Sequence, residues 1–224
     1  KGFKGKAHSG VIGFTKLECC KQASGRLLAE LDHDDVINQD CLETVVKAFK
    51  AYPDAVFAYT DCCEPYEGSG GIFNDFGDGW GKGMGAHYYQ YFEEAGGYIC
   101  IHESPPIRPA SLSHIVGVPN HIRVWDAETY WKIGGHDETL PQTDDYDLIL
   151  RTFSAGKFIK IPSLHYFQYI RPGDQNRTDQ PGRRDWIQEN VPIVYKTHQL
   201  NIDATFKEYG IDPSIDVRNY WEHA

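Results

Sequence analysis

Four consecutive polar residues, Asp32-His33-Asp34-Asp35, close the mostly apolar run Arg26-Leu27-Leu28-Ala29-Glu30-Leu31. Three carboxylates in one turn repel one another and raise each other's pKa unless a cation joins them. Oxygen donors of this kind select Mg²⁺ or Mn²⁺, which keep open positions for phosphate oxygens and can offset the charge of a leaving diphosphate. The same turn can serve as a solvated helix cap, and its spacing alone leaves both readings open. An EF-hand is excluded, because Val36 and Ile37 stand where such a loop starting at Asp32 needs an acid and a glycine. A second group follows much later: Gly134-Gly135-His136-Asp137-Glu138, then Thr143-Asp144-Asp145. A carboxylate at a helix start beside bound substrate can act as general base toward a hydroxyl. Aspartates also gather at helix N-termini simply to complement the dipole.

The elements that must position these groups are readable from periodicity. Phe14, Leu17, Cys20 and Ala23 share one face of a helix over 14–24, which Gly25 ends. Residues 26–31 read as an inner strand. Asn38 or Asp40 can cap the next helix, with Cys41, Leu42, Val45, Val46 and Phe49 on one stripe and Pro53 after its end. A strand over 55–60 follows, closed by Asp61. Strand, acidic turn, helix and strand predict an α/β sheet whose chemistry lies at strand carboxyl ends. Residues 64–115 are rich in Gly and Tyr and read as a long loop containing one short strand at Tyr98–His102. Trp80, Tyr88, Tyr89 and Tyr91 make that loop a candidate acceptor-binding lid.

Further on, the pattern predicts a strand over Asn120–Trp125, a helix capped by Asp126 and ended by Gly134 and Gly135, and a helix opened by Asp144 and Asp145. Leu148, Ile149 and Phe153 supply the buried face of that helix, and Phe158–Ile161 reads as a strand. From Arg183 the pattern is helical, with Trp186, Val191, Val194 and Tyr195 facing inward.

A formal net charge of −10 over 224 residues argues against a nucleic-acid binder and against docking on an anionic membrane. No apolar run reaches the roughly 18 residues of a membrane span. The opening Lys-Gly-Phe-Lys-Gly-Lys does not read as a signal peptide. Of the six cysteines, Cys19-Cys20 and Cys62-Cys63 are neighbours and no C-x-x-C occurs, which reads as reduced thiols in a cytoplasmic protein rather than a disulfide or zinc framework.

Taken in order, these fragments resemble family 2 glycosyltransferases. Gly25–Asp35 (GRLLAELDHDD) looks like the strand and L-D-x-D-D metal motif of that family, and Leu42–Asp61 continues with the expected helix and strand. Asn120–Trp125 and Gly134–Glu138 resemble its later strand and G-G-F-D-E turn. Thr143-Asp144-Asp145 resembles its T-E-D motif, with Asp144 in place of Glu. The resemblance covers most of residues 10–180. It implies the GT-A fold: a mixed, mostly parallel central sheet flanked by helices. The catalytic domain would span 1–182, with a helical C-terminal extension over 183–224 packed on it. The family's opening βαβ unit would precede residue 1, so an N-terminally truncated domain is implied.

The resemblance also implies roles. Asp34 would bind Mn²⁺ or Mg²⁺ directly, Asp32 would contact the ribose or the metal, and Asp35 would orient its neighbours. Asp145 would be the catalytic base and Asp144 its support. Lys16, Gly134 and Gly135 would lie near the donor. His121, Trp125 and His136 would face the acceptor. Many members carry a further metal-binding His after the last strand. Here Tyr169–Thr178 lacks it, so Asp174 is expected to supply the third ligand, with Asn176 or His165 as alternatives. The activity implied is inverting transfer of a hexose from a nucleoside-diphosphate sugar, in the first place a UDP-sugar, to a hydroxyl of a carbohydrate or other acceptor. A non-catalytic sugar-binding relative and a metal-dependent sugar-nucleotide phosphohydrolase are the rival readings.

Overall fold

A computed structural model describes residues 12–65, 87–93, 96–113, 119–140, 142–170 and 182–214. In chain order the elements are α1 (Ile12–Gln22), β1 (Leu27–Glu30), β2 (Val36–Ile37), α2 (Cys41–Ala51), β3 (Ala55–Cys63), β4 (His87–Phe92), β5 (Gly97–His102), α3 (Pro109–Leu112), β6 (Arg123–Asp126), α4 (Ala127–Lys132), α5 (Asp144–Phe153), β7 (Lys157–Phe167) and α6 (Arg183–Glu208).

β3 is the centre of a seven-stranded sheet. Every residue of it but Val56 is buried, because both of its faces are covered. β7 runs parallel to it along one edge. The other edge is shared by β6, opposite Phe57–Tyr59, and by β5, which meets it at Cys62. The sheet therefore forks, with β1 beyond β6 and β4 beyond β5. The expected closure of β3 at Asp61 does not occur. Asp61 lies inside the strand, 1% exposed, and accepts hydrogen bonds from the Ser104 amide (2.9 Å) and the Tyr88 hydroxyl (3.0 Å).

The mostly parallel sheet is also corrected. Among the described strand pairs only β3 with β7 is parallel. β1 and β3 do run in the same direction, as a strand–helix–strand unit requires, but β6 lies between them, antiparallel to both. The local pattern sets the direction of β1 and β3; a strand from much later in the chain decides that they are not neighbours.

The two sheet faces carry separate cores. On one, Phe57, Tyr59 and Trp125 pack with Leu148, Ile149 and Leu150 of α5 and with Ile187, Val191, Ile202 and Phe206 of α6. Thus α6 is seated on the same core as the sheet. On the other face, Ala58, Cys62, Ile122 and Val124 meet Cys41, Val45 and Phe49 of α2. Those three α2 residues form a single i, i+4 row; Leu42 and Val46, expected on the buried stripe, are 56% and 40% exposed. Cys41 and Cys62 are buried thiols that fill this second core, and Cys63 and Cys100 are buried as well. No helix among the described residues is long and apolar enough to cross a membrane.

Candidate active site

The site begins with the alternation of two strands. In the β1–β6 register Leu28 faces Trp125 and Glu30 faces Arg123. Residues two apart share a sheet face. Leu28 and Trp125 enter the α5–α6 core, so Glu30 and Arg123 point to that same side at its open end. There they meet α1 and the start of α5. Lys16 of α1 contacts Glu30 Oε1 and lies 3.9 Å from Asp144 Oδ2. Arg123 donates from Nη1 to Asp145 Oδ2 at 2.6 Å, approaches Glu30 Oε2 at 3.6 Å, and donates from Nε to the Pro119 carbonyl at 2.8 Å.

This network joins Glu30, two residues before the acidic turn, to the paired aspartates. α1 can approach so closely because residue 13 is glycine: a Cβ there would collide with the Asp137 carbonyl oxygen and come within 2.9 Å of the Asp144 Cβ. At the head of α5, Thr143 is held at φ 65°, a left-handed conformation uncommon for a β-branched residue, immediately before Asp144. Gly134 (φ 93°) and Gly135 (φ 65°) turn the chain after α4. Arg151 of α5 fixes that turn by donating to the Ile133 and Gly135 carbonyls. The turn delivers His136, whose Nδ1 lies 3.0 Å from Asp144 Oδ2.

The electrostatics follow from burial and partners. Burial alone would raise the pKa of Asp145, but Arg123 and then Lys16 outweigh it and hold the carboxyl at about 2. Glu30 is likewise kept well below the usual carboxylate range against the effect of burial, by Lys16 and His121. Burial opposes the charge on Lys16, yet Glu30 and Asp144 leave its pKa above the ordinary value. The paired aspartates differ in access: the Asp144 side chain is 4% exposed and the Asp145 side chain 27%. Asp144 is enclosed by His136 and Lys16, and Asp145 is the member that faces outward.

The acidic turn is pinned from β7. The Tyr166 hydroxyl donates to Asp35 Oδ2 at 2.7 Å and accepts from the Asp32 amide at 3.3 Å, and the Tyr169 amide donates to Asp35 Oδ1 at 2.9 Å. Burial raises the pKa of Asp35, partly offset by these bonds. Asp34 is 35% exposed, with His33 Nδ1 3.6 Å away.

Two expected acceptor residues are buried among protein partners. Trp125 is 2% exposed, tilted against Phe57 and bonded through its indole N–H to Thr152 Oγ1 at 3.0 Å. Its ring is filled with protein contacts and offers no face to a sugar. His136, 3% exposed, is spent on Asp144. His121 sits beside Glu30, its Nε2 3.7 Å from Oε1, and stacks on Tyr166 with ring centroids 4.8 Å apart. Asp174, Asn176 and Trp80 fall outside the described residues. His165 is buried in β7, near Asp40.

Glu30, Arg123 and Tyr166 were not singled out by the motifs. The usable signal was a charged residue at an inward strand position, two after Leu28 in one case and two before Trp125 in the other. Among the described residues, Glu30, Asp32 and His121 bring one ligand atom each within 4.8 Å of the others, the spacing of a metal-binding group.

No family model matches the chain. The uncharacterized protein y4gI of Sinorhizobium fredii (strain NBRC 101917 / NGR234) is 27% identical over 129 residues, covering 58% of this chain and 11% of that protein. The chain thus spans about a tenth of the length of this relative. The crystal structure of S. aureus TarS 1-349 superposes with a TM-score of 0.48 at 9% identity, over 94% of this chain and 54% of that one. A likeness at that level identifies neither a family nor an activity.

Proposed function

We propose that this chain transfers a hexose, with inversion, from a nucleoside-diphosphate sugar to a hydroxyl of a carbohydrate or other acceptor, UDP-sugars being the first donors to test, and that it depends on Mn²⁺ or Mg²⁺. The observation that carries the reading is that Glu30, which lies beside Asp32 of the acidic turn, is tied through Lys16 and Arg123 to the aspartates of α5 in one connected ion network. Residues far apart in sequence gather a carboxylate that reaches solvent and a carboxylate-rich pocket that suits a cation.

Asp145 is the base. The acceptor oxygen bonds to the anomeric carbon, the bond from that carbon to the diphosphate breaks, and the acceptor proton passes to Asp145. A divalent ion bound at Asp32 would offset the charge on the departing diphosphate. Asp144, fixed by His136 and Lys16, holds the start of α5 in place. With Arg123 donating to it, Asp145 is a weak proton acceptor. Arg123 must therefore give up this bond, turning toward Glu30, when the acceptor hydroxyl takes its place.

The same Arg123–Asp145 contact favours a second reading, a non-catalytic sugar-nucleotide binder in which the carboxylate stays latched. Asp145→Asn separates the two. For a transferase, turnover of a UDP-sugar plus acceptor should fall on the order of 10²–10⁴-fold while donor binding, measured by calorimetry with Mn²⁺, stays within a few-fold. A wild type that binds donor without turnover supports the binder. Equal turnover without acceptor indicates a phosphohydrolase. Failure to bind UDP, GDP and dTDP sugars overturns all three.

A further inference from the structure

We propose that Glu30, Asp32 and His121 form a divalent-cation site, with His121 Nε2 as its nitrogen ligand. The role of the ion in catalysis rests on the glycosyl-transfer reading above; its place rests on the geometry of the three side chains. Their ligand atoms lie within 4.8 Å of one another. Two carboxylate oxygens and an imidazole nitrogen are a donor set that Mn²⁺ and Zn²⁺ accept.

The independent observation is the histidine. His121 is 8% exposed, and its Nε2 is buried without a hydrogen-bond partner. It lies 3.7 Å from Glu30 Oε1, beyond hydrogen-bonding distance. Its other nitrogen is fixed: Nδ1 is 3.2 Å from Asn120 Oδ1, which also accepts from the His121 amide at 2.9 Å. Asn120 is itself oriented, since its Nδ2 donates to Cys62 Sγ at 3.1 Å. An amide oxygen can only accept, so Nδ1 carries a proton and Nε2 is the nitrogen that faces the two carboxylates. A histidine that donates from one nitrogen to an oriented oxygen and directs the other into a carboxylate pair is arranged as metal-ligating histidines are.

The charge count agrees. The carboxylates Glu30, Asp32, Asp144 and Asp145 outnumber the fixed cations Lys16 and Arg123 among these groups, a surplus that favours a bound cation. Lys16 occupies the Glu30 oxygen nearest His121. Its ammonium rides on a flexible stem and is the group the ion must displace.

The test uses the full chain and Mn²⁺ alone, with no nucleotide, reading free Mn²⁺ by electron paramagnetic resonance. His121→Ala should weaken binding by about tenfold or more, and Asp34→Ala should stay within about threefold of wild type. Lys16→Met should tighten binding several-fold, a gain that misfolding cannot imitate. In wild type, Mn²⁺ should broaden the His121 ring resonances selectively. The assignment is overturned if wild type binds no Mn²⁺ at millimolar concentration, if His121→Ala binds as wild type does, or if the loss appears with Asp34→Ala instead. None of these readings depends on sugar transfer, so the site and the activity can fail separately.

Discussion

Arg123 Nη1 lies 2.6 Å from Asp145 Oδ2 and 3.6 Å from Glu30 Oε2, so one buried guanidinium serves two carboxylates from different elements. Removing it strands both. Arg123→Met should therefore cost about 3–5 kcal/mol in urea unfolding, as expected when one partner of a buried pair is lost. The Asp145 carboxyl should titrate above its value of about 2, read by carbon NMR. A variant with wild-type stability would mean that Arg123 contributes no net attraction.

Tyr166→Phe keeps the ring that stacks on His121 and deletes only the hydroxyl shared by Asp35 and the Asp32 amide. A half-buried carboxylate then loses a donor, so about 1–2 kcal/mol of stability should go. The loosened turn should also bind Mn²⁺ more weakly. Unchanged stability together with unchanged Mn²⁺ affinity would show that the turn holds its shape without β7.

Gly13→Ala pits two effects against each other. Alanine favours a helix interior by about 1 kcal/mol over glycine. Here its Cβ would strike the Asp137 carbonyl oxygen, a backbone atom that cannot swing aside. Overpacking of this sort costs about 1–3 kcal/mol, so the clash should win and the thermal midpoint should drop. A rise in midpoint would show that α1 can shift without loss.

Acid should unfold the protein in two windows. Burial, then His87, lowers the pKa of His102 from 6.5 to about 4, so the unfolded chain takes up that proton first and stability falls between those values. The lowered pKa values of Glu30, Asp145 and Asp147 contribute stability that is complete above their unfolded values, and it is lost as pH falls through the folded ones. For Asp145 that window runs from 3.8 down to about 2. Urea titrations from pH 7 to pH 2 should show both slopes. His102→Asn should flatten the upper one and Asp145→Asn part of the lower one. A stability profile level down to pH 4 would contradict the His102 assignment.

What the sequence discloses divides along physical lines. α2 and β1 are legible because their signals are local: a stripe at Cys41, Val45 and Phe49, and an apolar run ending in Asp32. The Asp126 cap is legible for the same reason, and its side chain accepts from the Thr129 amide at 3.0 Å. β4 is not, because His87-Tyr88-Tyr89-Gln90-Tyr91-Phe92 shows no apolar–polar alternation, and neither is the two-residue β2. The aspartates of the candidate site stand out as motifs. Glu30 and Arg123 do not, because each reads as an exception within a strand until the partner strand is known. Trp125 fails for a related reason: an aromatic residue on the acceptor strand and an aromatic residue in the core have the same sequence signature, and only the register with Leu28 decides.

The insertion of β6 between β1 and β3 also has a consequence in time. Glu30 and Arg123 are cross-strand partners separated by roughly ninety residues of chain. At a ribosomal pace of about 5–20 residues per second, β1 emerges several seconds before the strand that covers it. During that interval its backbone edge and the Glu30 carboxylate are exposed to water and to chaperones, and the pocket cannot be complete until translation has passed Asp145.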